Sequence, residues 1–360
     1  MLFRSVPEDP YAGLAEAGDL AHHFPDLDLF DATEIPVEGM GDIADRAEGA
    51  ALAVAGITNS EGAEFSCEKS VSWYAATNGF AAGYPSSGFS LSVSVVAGEG
   101  TAMEVDYDFD SAAYFSDLKP PEEIGASAAR RAVAALNPRK AATACIPVVF
   151  DRRISGGLIG SLAGAISGAS VARGTTLLKD KMGAQVFARG VSIIDDPFLR
   201  RGHRSHPFDG EGVAPQKRAI IDDGVLTGWL LDTATARQLG LKTTGNASRG
   251  SSGPSSPRAA NFYMQPGKTS PEEMIKGIAE GFFITSLMGS GANIVTGDYS
   301  RGAKGFWIKN GEITHPVAEL TIAGNIRDMW MNCIPANDLR LAYGIDAPTL
   351  RIDGMTVAGS

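Results

Sequence analysis

The sequence predicts an α+β protein: an N-terminal α/β domain over residues 1–139, then a hairpin-rich, mainly antiparallel β domain over residues 140–360 with a central glycine-rich helix. The helix is predicted at Ile154–Ala172, a run without charge and with helical spacing. The hairpins are predicted from Asp223-Gly224 and Asn310-Gly311, two-residue turn signals between apolar runs.

The N-terminal domain is predicted to combine helices with strands. Its elements are a helix, two strands and a second helix, over residues 42–55, 66–77, 89–97 and 120–136. Asn78-Gly79 and Pro85–Gly88 are turn signals between the two strands. The second strand alternates apolar and hydroxyl residues, which predicts one buried face and one polar, uncharged face. Pro121 and the acids after it suit the first turn of the last helix, which should end before Asn137-Pro138.

The central helix carries two stripes with a four-residue period. One stripe is apolar and the other has no side chains: Ile154, Leu158, Leu162 and Ile166, and Gly156, Gly160, Gly164 and Gly168. Ser155 is a candidate N-cap, and Arg173-Gly174 should end the helix. Each interior glycine costs about 1 kcal/mol relative to alanine. We therefore expect a buried helix with another element packed closely against its glycine face.

Composition limits the class of protein. GxxxG spacing also occurs in transmembrane helices, but the run is mostly Gly, Ala and Ser and lacks flanking aromatic residues, so a buried helix is favoured. The formal net charge of -11 argues against nucleic-acid or anionic-membrane partners. Three widely separated cysteines imply no disulfide framework. We expect a cytoplasmic protein.

The C-terminal domain is predicted as strands and hairpins with helices between them. Residues 146–150 form a strand leading into the central helix, and residues 191–194 form another. Ser270-Pro271-Glu272-Glu273 combines an N-cap, an N1 proline and first-turn acids, which predicts a helix start. Residues 243–258 form a low-complexity loop, typical of a functional lid or a disordered connector.

Two histidines and two carboxylates come together in sequence at His203, His206, Asp209 and Glu211. A zinc site could use both histidines and a carboxylate. The segment is a loop broken by proline and glycine, and three neighbouring arginines oppose a bound dication. The favoured interpretation is that Asp209 and Glu211 accept hydrogen bonds from loop amides or order an arginine.

Two further segments are candidates for function. Cys333 could be a reactive thiol, but no feature is placed to lower its pKa, so a buried structural cysteine is favoured. Gly297–Gly302 contains Asp298, Tyr299, Ser300 and Arg301 and either lines a cleft or forms a turn. The sequence contains no serine-nucleophile elbow, Walker loop or dinucleotide fingerprint.

Several motifs in order resemble the TldD/PmbA family, and specifically its PmbA (TldE) branch. They are residues 207–213, 239–245, 296–302 and 306–312 and the tail 347–359, with weaker similarity at 58–62 and 137–139. The usual first part of the N-terminal domain is not matched, so the resemblance suggests a truncated or divergent member.

The resemblance implies a bacterial, cytoplasmic metalloprotease that acts as a heterodimer. In this family one subunit, TldD, carries HExxxH and binds zinc, and the TldE subunit does not. Alignment on Arg173-Gly174-Thr175 puts the HExxxH positions at Ile159, Gly160 and Gly164. None of these can hold zinc or activate water. Cys333 lies near the family's cysteine ligand but cannot form a site alone, so we expect the site to be closed by packing.

The expected function is therefore the non-metal subunit of a TldD/TldE-type protease that degrades or matures peptides and unfolded polypeptides. The chain should be inactive alone, bind no zinc or other cofactor itself, and pair with a TldD-like HExxxH subunit, with a homodimer possible in isolation. Peptide would be held by pairing with a strand edge. Asp209, Glu211 and Asp298–Arg301 are the candidate cleft residues. The alternatives are a self-sufficient metallohydrolase using His203 and His206, and a peptide-binding or assembly module without proteolysis.

Overall fold

The computed structural model describes residues 8–250 and 253–359. Within them the α-helices α1 to α7 span Val37–Leu52, Pro121–Ala134, Arg152–Ala165, Gly168–Ala172, Thr233–Leu239, Pro271–Lys276 and Ile326–Met331. The strands β1 to β16 span Ile57–Ala75, Ala81–Ala97, Glu104–Ala112, Ala144–Phe150, Ile193–Asp196, Arg218–Asp222, Val225–Leu226, Ala247–Ser248, Ser256–Pro257, Asn261–Met264, Glu280–Met288, Asp298–Lys309, Glu312–Asn325, Cys333–Pro335, Ile345–Asp346 and Leu350–Ala358. This mixture of helices and mostly antiparallel strands confirms the predicted fold class.

The first sheet is antiparallel, with strand order β1-β2-β3. The alternation in β2 works as predicted: Leu91, Val93 and Val95 are buried against α1 and α2, and the intervening serines are half-buried on the opposite face. The turn after β1 is at Asn78-Gly79, as predicted. Pro85–Gly88 is not a turn but lies within β2, because the hairpin pairs in register through these residues.

The C-terminal part contains a closed barrel. Strands β13-β12-β11-β4-β16 are hydrogen-bonded in that order, and β13 also pairs with β16, which closes the ring. Only the β4–β11 pair is parallel within this ring. A second sheet has the order β15-β10-β5-β6-β7, and β8 pairs with β9.

The predicted turns and caps of this part are confirmed. Asp223-Gly224 and Asn310-Gly311 both have positive φ, as the hairpin turns β6–β7 and β12–β13 require. Ser270 and Glu273 form a reciprocal capping box at the start of α6.

The central helix differs from prediction at both ends. Asp151, not Ser155, is the N-cap of α3, and its side chain accepts a hydrogen bond from Arg153 N. Ser155 is buried inside the helix, where Oγ donates to Ala347 O at 3.0 Å. The helix also ends near Ile166, and α4 begins at Gly168, because Gly168 N donates to Leu230 O instead of continuing the helix.

Close packing along the whole glycine stripe is a wrong prediction. A Cβ at Gly156 would lie 2.7 Å from Ile345 O, and one at Gly168 would collide with Thr235, so the two ends of the stripe are tightly packed. At Gly160 and Gly164 a Cβ would meet no atom within 4 Å. The middle of the helix therefore has an open, half-buried glycine face.

Candidate functional site

The resemblance assigns the HExxxH positions to Ile159, Gly160 and Gly164, which lie on α3. Ile159 is fully buried in the core, so its side chain points away from the open glycine face. Gly160 and Gly164 lie one turn apart on the open side and offer only backbone. Positions 159 and 164 thus do not share a face, and α3 carries no side chain that could bind zinc.

Cys333 lies in the core behind this helix. It is 3% exposed, and burial raises the pKa of its thiol to about 12. Its Sγ donates to Trp330 O at 3.2 Å, and Trp330 Nε1 donates to Leu158 O of α3 at 3.3 Å. Among the described residues, Cys333 belongs to no group of three His, Cys, Asp or Glu side chains, so the further ligands that zinc needs are not beside it. The residues that the resemblance assigns to the metal positions, Ile159, Gly160, Gly164 and Cys333, therefore do not fit zinc.

Within the segment Gly297–Gly302, residues 298–302 form the start of β12 rather than a turn. Asp298 and Ser300 are exposed, and Asp298 Oδ2 accepts a hydrogen bond from Thr296 Oγ1 at 2.6 Å. Tyr299 lies on the other face and is 4% exposed, and burial raises the pKa of its phenol to about 12. Arg301 shares that inward face. The structure therefore separates the four candidate residues into two pairs.

A small pocket of about 240 Å³ lies beside the first turn of α3. Its basic side chains are Arg153, Arg301 and Lys304. Two of them have partners on β3: Arg153 Nη2 donates to Asp106 Oδ1 at 3.3 Å, and Lys304 Nζ donates to Val105 O at 2.7 Å. Sequence reasoning missed Arg153 and Lys304 because only the packing of β3 against the barrel brings them together with Arg301.

A larger cleft of about 890 Å³ lies between the first sheet and the loops at residues 202–210 and 246–250. The polar face of the first sheet lines one wall with serine hydroxyls, from Ser66, Ser72, Ser86, Ser90 and Ser111. The face of β2 that was predicted to be polar and uncharged is therefore part of a cleft wall, which also includes Glu68 of β1. Part of the loop 243–258 forms the other wall, and residues 251 and 252 of that loop lie outside the described residues.

His203 and His206 both line this larger cleft. Burial lowers the pKa of each imidazole. His206 Nδ1 lies 2.9 Å from Arg204 O and so must donate to it, which fixes the tautomer. His203 Nε2 is 3.5 Å from Ser111 Oγ. Over residues 8–250 and 253–359, no three His, Cys, Asp or Glu side chains are grouped so as to hold a metal ion.

Asp209 and Glu211 organise the loop around the cleft. Asp209 is 3% exposed and accepts from the backbone N–H groups of Glu211, Val213 and Ala247, each at 2.9 Å. Burial outweighs these amides and raises the pKa of Asp209 to about 7. Glu211 accepts from Thr233 N at 2.9 Å and from Ser255 Oγ at 2.5 Å. Asp209 therefore binds loop amides, which is the favoured interpretation, whereas Glu211 joins the start of α5 to Ser255. Of the two predicted cleft residues, Asp209 is the one that lines the cleft.

Comparison with known proteins places the chain in a family. The model of the PmbA/TldA metallopeptidase central domain matches residues 26–136, and that of the C-terminal domain matches residues 143–359. Metalloprotease PmbA of Escherichia coli O157:H7 is 42% identical over 358 residues, which are 99% of this chain and 78% of that protein. A PmbA homologue from Haemophilus influenzae is 38% identical, over 98% of this chain and 77% of its own length.

Solved structures agree in fold. A Bacteroides thetaiotaomicron protein named as a candidate modulator of DNA gyrase superposes with a TM-score of 0.91 at 27% identity, covering 99% of this chain and 80% of that one. TldE from Thermococcus kodakarensis has a TM-score of 0.83 at 21% identity, over 99% and 81% of the two chains, which supports the fold alone. No helix in the described part of the chain is long and apolar enough to cross a membrane. By its domain matches and its relatives, the chain belongs to the PmbA/TldD metallopeptidase family.

Proposed function

We propose that this chain is the non-metal, TldE-like subunit of a heterodimeric metalloprotease. A TldD-like partner would supply the HExxxH motif and the zinc, and this chain would complete the chamber in which peptides are cleaved. The observation that best supports the proposal is the open face of α3. It has bare backbone at Gly160 and Gly164, where the family resemblance places catalytic side chains.

The substrates would be peptides and unfolded polypeptides in the cytoplasm, degraded or matured without strong sequence specificity. Strand-edge pairing supports this, since main-chain hydrogen bonds bind an extended peptide whatever its side chains. Strand β1 is an edge of the first sheet, and many of its residues are exposed over Ile57–Ala75. The net charge of -11 does not favour nucleic acid as a partner.

A cleavage assay tests the proposal. The chain, a TldD-like HExxxH subunit and their mixture would each be incubated with reduced, alkylated α-lactalbumin as an unfolded substrate. The mixture should cleave it faster than the HExxxH subunit alone, and this chain alone should not cleave it. Cleavage by this chain alone, or no gain on mixing, would contradict the proposal.

A pair of variants locates the chamber. Gly164→Phe puts a ring on the open face of α3, where nothing lies within 4 Å of the new Cβ. It should reduce cleavage by the mixture while the chain stays folded. Gly49→Phe makes the same change at an exposed, equally open position of α1 and serves as the matched control. Equal activity of the two variants would show that the open face is not part of the chamber.

A self-sufficient hydrolase is a second candidate, favoured by the two neutral imidazoles of His203 and His206 beside the 890 Å³ cleft. It predicts that replacing both histidines with alanine abolishes any activity of this chain alone. Unchanged activity would exclude it. A peptide-binding module without proteolysis instead predicts substrate binding but no cleavage with any HExxxH partner.

A further inference from the structure

Arg301 is a charged side chain on the inward face of the barrel. On β12 it follows Tyr299 and precedes Ala303 in the same row, and both neighbours are buried. Its Nε is inaccessible to solvent and has no hydrogen-bond partner among the described residues, and its guanidinium forms no ion pair with them. The side chain as a whole is half-buried, and the phenol of Tyr299 lies beside its guanidinium. A buried Nε without a hydrogen-bond partner is costly for a fold, so a ligand that supplies a carboxylate is a natural explanation.

The other charges of the small pocket are already balanced within the chain. Arg153 pairs with Asp106 at 3.3 Å, and Lys304 with Glu104 at 3.4 Å. With these two ion pairs neutral, the positive charge of Arg301 is the one among these five groups that has no opposite charge beside it. Its surplus of a single positive charge suits a monovalent anion better than a phosphate dianion.

The pocket lies at the first turn of α3, next to the start of the open glycine face. Ile154 lines it, and Gly157, Gly160 and Gly164 follow on the helix at spacings of three and four residues, each with open space at its Cβ position. From Ile154 to Gly164 a helix rises about 15 Å, the length of four to five residues of extended peptide. A peptide lying along this face would therefore reach the pocket with its end or a nearby side chain.

We propose that the pocket between Arg301, Lys304 and the first turn of α3 binds a carboxylate of the peptide, with Arg301 as the charge that recognises it. Arginine suits this role because its planar fork matches a carboxylate. The proposal rests on the proposed function, since it assumes that the open face of α3 meets peptide. The carboxylate would come from the C-terminus of the peptide or from an acidic side chain.

A ligand-observed NMR titration of the isolated chain at low salt tests this directly. N-acetyl-Ala-Ala with a free carboxylate is compared with its C-terminal amide, on the wild type, Arg301→Gln and Arg301→Lys. The carboxylate should bind the wild type at least about tenfold more tightly than the amide does, and Arg301→Gln should remove that difference. Arg301→Lys should retain part of it.

Lys309→Gln is the matched control, because it removes one positive charge from an exposed end of the same strand and should leave binding unchanged. Equal binding of carboxylate and amide to the wild type, or no binding of either, would overturn the proposal. If Arg301→Gln failed to fold, the carboxylate–amide comparison on the wild type would still decide it.

Longer peptides identify the source of the carboxylate. An extended peptide with an internal Glu is compared with its Gln form, each with a free or an amidated C-terminus. If amidation lowers the affinity, the bound carboxylate is the C-terminus of the peptide. If Glu→Gln lowers it, the bound carboxylate is the side chain. If neither changes affinity, the proposal is wrong. The proposed function is judged separately, by cleavage in the mixture with the HExxxH subunit.

Discussion

Asp209 is a buried carboxyl whose ionisation is linked to stability. Its pKa is raised to about 7 by burial, and the unfolded value is near 3.8. Between these values the folded chain binds more protons than the unfolded chain, so the free energy of unfolding should fall as pH rises from about 4 to about 7. Burial lowers the pKa values of His203 and His206 below the usual 6.5. Below that pH the unfolded chain binds more protons at these two residues, so they make the free energy of unfolding rise with pH.

Asp209→Asn isolates the contribution of Asp209. Chemical denaturation of the wild type and the variant across this pH range should show a steeper loss of stability with rising pH in the wild type. Because the other titrating groups are common to both proteins, they cancel in the difference. If the wild type instead gained stability relative to Asp209→Asn as the pH rises, the three backbone amides, rather than burial, would set the pKa of this carboxyl.

The glycines of α3 provide an element-scale prediction. Gly160→Ala should stabilise the fold by up to about 1 kcal/mol, because alanine is the better helix former and nothing lies near its Cβ. Gly156→Ala should destabilise it by roughly 1–3 kcal/mol, because the new Cβ would press on Ile345 O at 2.7 Å. Urea denaturation of both variants provides the comparison. Equal effects would contradict the division of the stripe into packed and open parts.

The same helix shows what local sequence can and cannot predict. The four-residue period correctly indicated a buried apolar side at Leu158 and Leu162. The break near Ile166 was missed because it depends on Leu230, more than sixty residues away, whose carbonyl accepts from Gly168 N. The open middle of the glycine face was missed for the same reason: which neighbours reach each glycine is decided by distant segments such as Ile345 and Thr235.

Hairpins were predictable because their signals are local. Asp223-Gly224 and Asn310-Gly311 carry the positive φ of the turn in the two residues themselves. The closure of the barrel by β13 and β16, and the pocket around Arg301, depend on long-range pairing that no short motif encodes. Arg301 was named from its glycine-flanked segment, but its lack of a carboxylate partner was visible only in the fold.

At the scale of the whole molecule, Asp110 links the first sheet to the C-terminal part. It is 1% exposed, and Arg340 Nη2 donates to its Oδ1 at 2.7 Å. Arg340→Ala should cost roughly 2 kcal/mol, because it leaves a buried carboxylate whose one remaining hydrogen-bond partner within residues 8–250 and 253–359 is the Lys119 amide. Thermal and urea unfolding measure the cost.

Arg46→Ala is the control for that measurement. It breaks the Arg46–Glu122 pair, whose side chains are 55% and 52% exposed, and should change stability by less than about 1 kcal/mol. If both variants lost the same stability, the buried link between the two parts of the chain would not contribute as argued.

We propose that this member of a metallopeptidase family has no metal centre of its own. The most direct test is the zinc content of the purified chain, measured by mass spectrometry after dialysis against a weak chelator, with His203→Ala/His206→Ala alongside. We predict far less than one zinc per chain in both proteins. One zinc per chain in the wild type, lost in the double variant, would contradict the claim and make this chain a hydrolase in its own right.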